Sequence, residues 1–142
     1  MKKLSLSLAG ILIFLGSSSL FAGPADGVTG VWTTIDDKTG KPKSKVELFE
    51  SGGKLYGKIK ELINPDEPNP KCTKCKGALL NQPVVGMQIV NNLSKTADGW
   101  EGGTILDPNN GETYKCKIWN EGGKLKLRGY IGFLYRTQTW VK

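Results

Sequence analysis

The sequence predicts an all-β protein, an antiparallel up-and-down barrel of about eight short strands. Three observations point there. Apolar and polar residues alternate over short runs, and turn chemistry separates the runs at close intervals. No helical periodicity follows the first residues. The tight turns join runs that are neighbours in sequence, which gives up-and-down connectivity; a sandwich is the competing arrangement. At 142 residues the chain is one domain by length.

The N-terminus stands apart. Lys2 and Lys3 precede an apolar run from Leu4 to Leu15, broken by Ser5, Ser7 and Gly10. Small residues follow in Ser17-Ser18-Ser19-Leu20-Phe21-Ala22. This is the form of a secretory signal peptide over 1–22. Cleavage is expected after Ala22; a cut after Ala25 is the alternative, because Leu20 is bulky for the position three back. The apolar run is short for a membrane-spanning helix. No Cys lies near the cut to accept a lipid. The barrel domain is then 23–142, exported to the periplasm or beyond.

Within that domain, 24–27 reads as a short flexible lead-in and 28–37 as the first strand, which carries Gly30-Val31-Trp32. A turn at 37–42 leads to a strand at 46–50. Ser51-Gly52-Gly53 is hairpin chemistry. The return at 54–63 alternates Leu55, Gly57 and Ile59 with Tyr56, Lys58 and Lys60. Residues 64–80 are irregular, because Pro65, Pro68 and Pro70 fix φ and remove donors. A strand at 84–91 sets Met87 and Ile89 on one face. Ala97-Asp98-Gly99 then turns into a central hairpin over 99–117. Its turn is Asp107-Pro108-Asn109-Asn110-Gly111. Gly102-Gly103 predicts a bulge of the kind a closing barrel needs. Beyond the turn, Tyr114, Cys116 and Ile118 share a face. Strands at 124–131 and 134–141 end the chain, the first with Leu125, Leu127, Gly129 and Ile131 on one side.

Composition prunes the chemistry. The chain has no histidine, which excludes a Ser-His-Asp triad, a Cys-His pair and any His-ligated metal. Its formal charge is +7, and part of that leaves with Lys2 and Lys3. Lysine faces at Lys58 and Lys60, Lys115 and Lys117, and Lys124 and Lys126 read as solvated exteriors. The sharper reading is contact with an anionic envelope surface. No Arg-rich run or basic-aromatic ladder appears, and export disfavours nucleic acid. Asp66, Glu67 and Asn69 match no EF-hand spacing, so no metal and no cofactor is expected.

Cys72-Thr73-Lys74-Cys75 has the C-x-x-C spacing. A thioredoxin-type site needs a βαβ context that is missing, and a zinc site would have only the thiolates of Cys72, Cys75 and Cys116. Lys71, Lys74 and Lys76 would depress free thiol pKa values. A structural disulfide in an oxidising compartment is the simpler reading. Cys72 and Cys75 would close a tight ring. A bond from either to Cys116 would staple 64–80 to the central hairpin, and the chain-entropy model favours that longer closure. One thiol is left over in either case, and Cys116 fits a buried free thiol.

Gly99-Trp100-Glu101-Gly102-Gly103, Asp107-Pro108-Asn109-Asn110-Gly111-Glu112-Thr113-Tyr114, Leu127-Arg128-Gly129-Tyr130-Ile131-Gly132 and Arg136-Thr137-Gln138-Thr139-Trp140 occur in that order. Together with Asn69-Pro70 and Pro83-Val84-Val85-Gly86-Met87, they resemble the DUF2147 family, exported bacterial proteins of unknown function. The resemblance runs from about Gly30 to the C-terminus and implies a lipocalin- or calycin-like barrel. Gly30-Val31-Trp32 is similar to the G-x-W motif of the first lipocalin strand. The resemblance then implies an Arg of the last strand stacked over Trp32 to close the barrel's base. Arg136 is the positional match and Arg128 the second choice; such stacking contributes about 0.5–2 kcal/mol.

The expected function is non-enzymatic: burial of a small apolar or amphipathic molecule in a cavity lined by Met87, Ile89, Trp100, Tyr114 and Leu127, an Arg or Tyr fixing its head group. A filled barrel acting through its surface as an interaction module is the rival. A thiol enzyme using Cys72 and Cys75 is the third reading.

Overall fold

A computed structural model of the protein describes residues 23–142. The expected leader over 1–22 lies outside the described residues. The rest forms one antiparallel sheet of eight strands in sequence order. They are β1 (Gly30–Ile35), β2 (Pro42–Ser51), β3 (Lys54–Leu62), β4 (Gln88–Thr96), β5 (Gly99–Asp107), β6 (Glu112–Glu121), β7 (Lys124–Ile131) and β8 (Leu134–Trp140). The sheet curls until Thr33 and Val141 exchange both backbone hydrogen bonds, at 2.6 and 3.0 Å. The result is a nearly closed up-and-down barrel. Among the described residues no helix is long and apolar enough to cross a membrane.

The turns sort the barrel into two ends. The β2–β3, β4–β5 and β6–β7 turns share one end with the segment before β1. The β1–β2, β3–β4, β5–β6 and β7–β8 connections share the other. The core gathers Trp32, Trp100 and Trp140 with Leu48, Leu55, Leu93, Ile118 and Leu125, all almost wholly buried. Burying an aromatic ring demands a partner for its N–H. Trp32 Nε1 donates to the Val28 carbonyl and Trp100 Nε1 to the Ala25 carbonyl, both at 2.8 Å. The lead-in before β1 is therefore a strap across this end, with Ala25 and Val28 buried in the core, and not the loose segment expected.

Several element bounds differ from expectation: β1 is shorter than 28–37, and β6 runs beyond 117 to Glu121. β2 begins at Pro42, because Ile35, Thr34 and Thr33 find partners there. β4 begins at Gln88 and runs to Thr96, later and longer than 84–91. Val84 and Gly86 are held in the loop instead, donating to the carbonyls of Pro70 (3.0 Å) and Ile59 (2.7 Å). Asn92 takes a left-handed φ of 63°, so the strand bulges there and continues past 91. The bulge expected at Gly102-Gly103 lies in the β5–β6 register between Glu101 and Gly103.

Candidate functional site

Partners in register point to the same face of a sheet, so the strand register gives the inner wall of β5–β8 row by row. At the strapped end Leu125 faces Trp140. The next row is Trp100, Ile118, Leu127 and Gln138. The row after it is Gly103, Cys116, Gly129 and Arg136. Large side chains thus fill the strapped half, and the wall loses bulk toward the open end. The two glycines differ in kind. A Cβ at Gly103 would strike the Asn91 carbonyl oxygen and the Asn92 backbone, so Gly103 lets β4 bulge inward. A Cβ at Gly129 would meet nothing within 4 Å. Gly129 faces open space on an inner wall.

The open end carries a polar clasp. Past the Thr33–Val141 pair, β8 has no strand beside it on the β1 side. Side chains bridge the gap: Asp37 Oδ2 pairs with Arg136 Nη2 at 3.0 Å and accepts from Gln138 Nε2 at 3.2 Å. Asp36 shapes the turn that presents Asp37. Its carboxylate accepts the Thr39 and Lys38 N–H groups at 3.0 and 2.8 Å, and these hold its pKa below the usual carboxylate range. The hydroxyls of Thr34 and Ser44 meet at 2.6 Å. Tyr114, half-buried, accepts a hydrogen bond from Asn110 Nδ2 at 2.8 Å.

The β3–β4 loop caps the outside of the β5–β6 turn. Cys72 and Cys75 are joined to each other and buried. The longer closure to Cys116 is absent, because Cys116 is inside the barrel wall while the loop packs outside it. Gly111 makes that packing possible: with φ of 73°, it leaves the space that the Lys74 carbonyl occupies. The lysines around the motif have no free thiol to act on. Cys116 is the free cysteine, and burial pushes its thiol up to about 12.

Four of the five expected lining residues, Met87, Ile89, Trp100 and Leu127, are buried in the same core cluster. Trp100 and Leu127 share one inner row, and Tyr114 stands further toward the open end. Met87 lies in the loop before β4, its carbonyl accepting the Ile59 N–H, and Ile89 is buried where that loop enters β4. The cation over Trp32 is also not the one expected. Lys142 Nζ sits 4.2 Å from the Trp32 ring centroid, and Gly30, with φ of 115°, leaves room for it. Arg136 is committed to Asp37, and Arg128 lies on the outer face between Trp119 (5.1 Å) and Tyr135 (4.3 Å). The alternation puts Gly129 on the side of Leu125 and Leu127 but carries no sign of the room beside it, since alternation reports direction and not depth.

No curated protein matches the chain. Among solved structures it is similar to protein HP1028 from the human pathogen Helicobacter pylori, described as belonging to the lipocalin family. The TM-score is 0.71 at 22% identity, over 80% of this chain and 81% of that one, a likeness of fold. The model of the DUF2147 family, described as an uncharacterized protein conserved in bacteria, matches residues 30–142, and the chain belongs to that family.

Proposed function

We propose that this is an exported, non-enzymatic barrel that holds a small amphipathic molecule in its open half. The observation that carries the reading is the empty space before Gly129, on an inner wall whose neighbours are Cys116 and Arg136. An apolar body would rest beside Gly129, above the buried row of Leu127 and Ile118, with Tyr114 near it. Arg136 has five N–H donors and gives only part of them to Asp37, so it can also meet an anionic head group. Export is supported by the disulfide, which persists in oxidising compartments, and by the leader-like N-terminus. The thiol-enzyme reading is poorly served. Cys72 and Cys75 are bonded, and the Cys116 thiolate is suppressed by burial.

The test is titration of the protein with a fluorescent fatty acid analogue. The expected result is saturable binding that Gly129→Phe abolishes without lowering the melting temperature. Arg136→Gln should weaken the carboxylate probe more than its methyl ester. A wild-type protein without saturable binding, or a Gly129→Phe variant that binds equally well, overturns the reading.

A further inference from the structure

The β7–β8 hairpin ends in an apolar tip. Gly132 and Phe133 form its turn between the paired Ile131 and Leu134. Phe133 is 94% exposed, Leu134 62%, and Ile131 and Tyr135 60% each. Contiguous exposed apolar side chains of this size carry a cost in water and mark a contact surface. The tip stands free because β8 has no strand on its far side above the Thr33–Val141 pair.

The charge around the tip has one sign. From Gly122 to Lys142 there is no Asp or Glu; Arg128 and Arg136 are the cations of the hairpin nearest the tip, with Lys126 further along β7, while Lys124 and Lys142 lie at the strapped end. On the outer face Arg128 stacks between Trp119 and Tyr135, and Tyr130 packs near Tyr135 with ring centroids 6.3 Å apart. Lys115 registers with Tyr130 and Lys117 with Arg128. The acids nearby are already engaged: Glu101 by Lys117, Asp37 by Arg136, Glu112 by Lys76. Lys58 and Lys60 both lie 3.8 Å from Glu47 and Lys117 lies 3.8 Å from Glu101, so among the described residues Lys115, Lys124 and Lys126 are the lysines of these faces without an ion pair.

We infer that the β7–β8 hairpin docks the protein on an anionic lipid bilayer. Phe133, Ile131 and Leu134 enter the headgroup region, the tyrosines lie at its boundary, and the basic face of β6–β8 meets the lipid phosphates. A bilayer suits this surface better than a protein groove. The tip is convex and narrow, and its cations lie behind it along the barrel wall, where a plane of negative charge would reach them. The inference stands without the ligand reading, because vesicle binding is measured whether or not the barrel holds anything.

The experiment is flotation of the full exported protein with vesicles of phosphatidylcholine alone and of phosphatidylcholine mixed with phosphatidylglycerol. Binding is expected to the anionic vesicles only, and to fall with added salt. Phe133→Asp should weaken it by roughly tenfold or more, while leaving the melting temperature unchanged because the side chain is already in water. Lys115→Glu combined with Lys126→Glu should weaken it independently. Absence of vesicle binding overturns the inference, as does binding that Phe133→Asp leaves intact. Self-association in gel filtration that Phe133→Asp abolishes, with no vesicle binding, assigns the tip to a second copy instead.

Discussion

Cys116 joins sequence and chemistry at a single residue. It lies on the inner face between Gly103 and Gly129, and burial alone raises its pKa from 9.0 to about 12. A raised pKa means that the folded state holds the proton more tightly than the unfolded chain. The stabilising contribution of the protonated thiol is therefore complete below pH 9, and is lost as pH climbs toward 12. The slope is at most about 1.4 kcal/mol per pH unit. Cys116→Ala should show a shallower alkaline loss of stability than wild type in urea titrations across that window. Equal slopes would mean that the thiol ionises without hindrance in the fold. A thiol reagent gives a second reading. Native protein should react at Cys116 only as fast as it unfolds, since the thiolate is the nucleophile.

At the scale of elements, two glycines of one row make opposite predictions. Gly103→Ala would push a methyl group into the β4 backbone at its bulge, and overpacking of that kind costs about 1–3 kcal/mol. Gly129→Ala adds the same methyl to open space on a regular strand, where Ala is better than Gly by about 0.5–1 kcal/mol. Chemical denaturation should therefore rank Gly129→Ala at or above wild type and Gly103→Ala clearly below it. If both are destabilised alike, the space before Gly129 is not there. The contrast also shows what the sequence made legible. Period-two alternation and Gly-Gly or Asn-Gly turns located all eight strands and their order, because both are local properties of the chain. The bulge at Gly102-Gly103 was legible for the same reason. The later start of β4 was not, since Val84 and Gly86 are held by Pro70 and Ile59, partners set by the tertiary fold. The disulfide partner of Cys72 was equally hidden. Loop entropy favoured Cys116, but the loop lies outside a wall that Cys116 faces inward from. Lys142 over Trp32 escaped because a single lysine after the last strand has no local pattern, and the room beside Gly129 because the absence of a side chain there reads the same in a filled barrel.

For the whole molecule, the strap over 23–29 lies before the matched family region and still completes the core. Pro24 O accepts the Asn120 N–H at 2.7 Å, and Gly27 O accepts Asn120 Nδ2 at 2.9 Å. Ala25 and Val28 carbonyls take the Trp100 and Trp32 N–H groups, both deep in the interior. Without the strap, two buried donors lose their partners at about 1–3 kcal/mol each. Val28 also leaves the core, which removes roughly another 1.5 kcal/mol. That is a large share of a typical domain's 5–15 kcal/mol, about half at the middle of the range. A chain starting at Gly30 should thus unfold at much lower urea than one starting at Gly23. The same geometry bears on the expected leader. A cut after Ala25 would remove the carbonyl that Trp100 needs, whereas a cut after Ala22 keeps the strap entire. It would also turn the Gly23 nitrogen, which donates to Asp26 Oδ2 at 2.9 Å, into an ammonium facing a carboxylate. Asp26 is suited to it, its pKa being held low by the Gly23 N–H and then by Lys95. N-terminal sequencing of the exported protein should read Gly23-Pro24-Ala25. A mature chain that begins at Asp26, with unchanged stability, would show that the strap is dispensable and that the end of the barrel is sealed by its tryptophans alone.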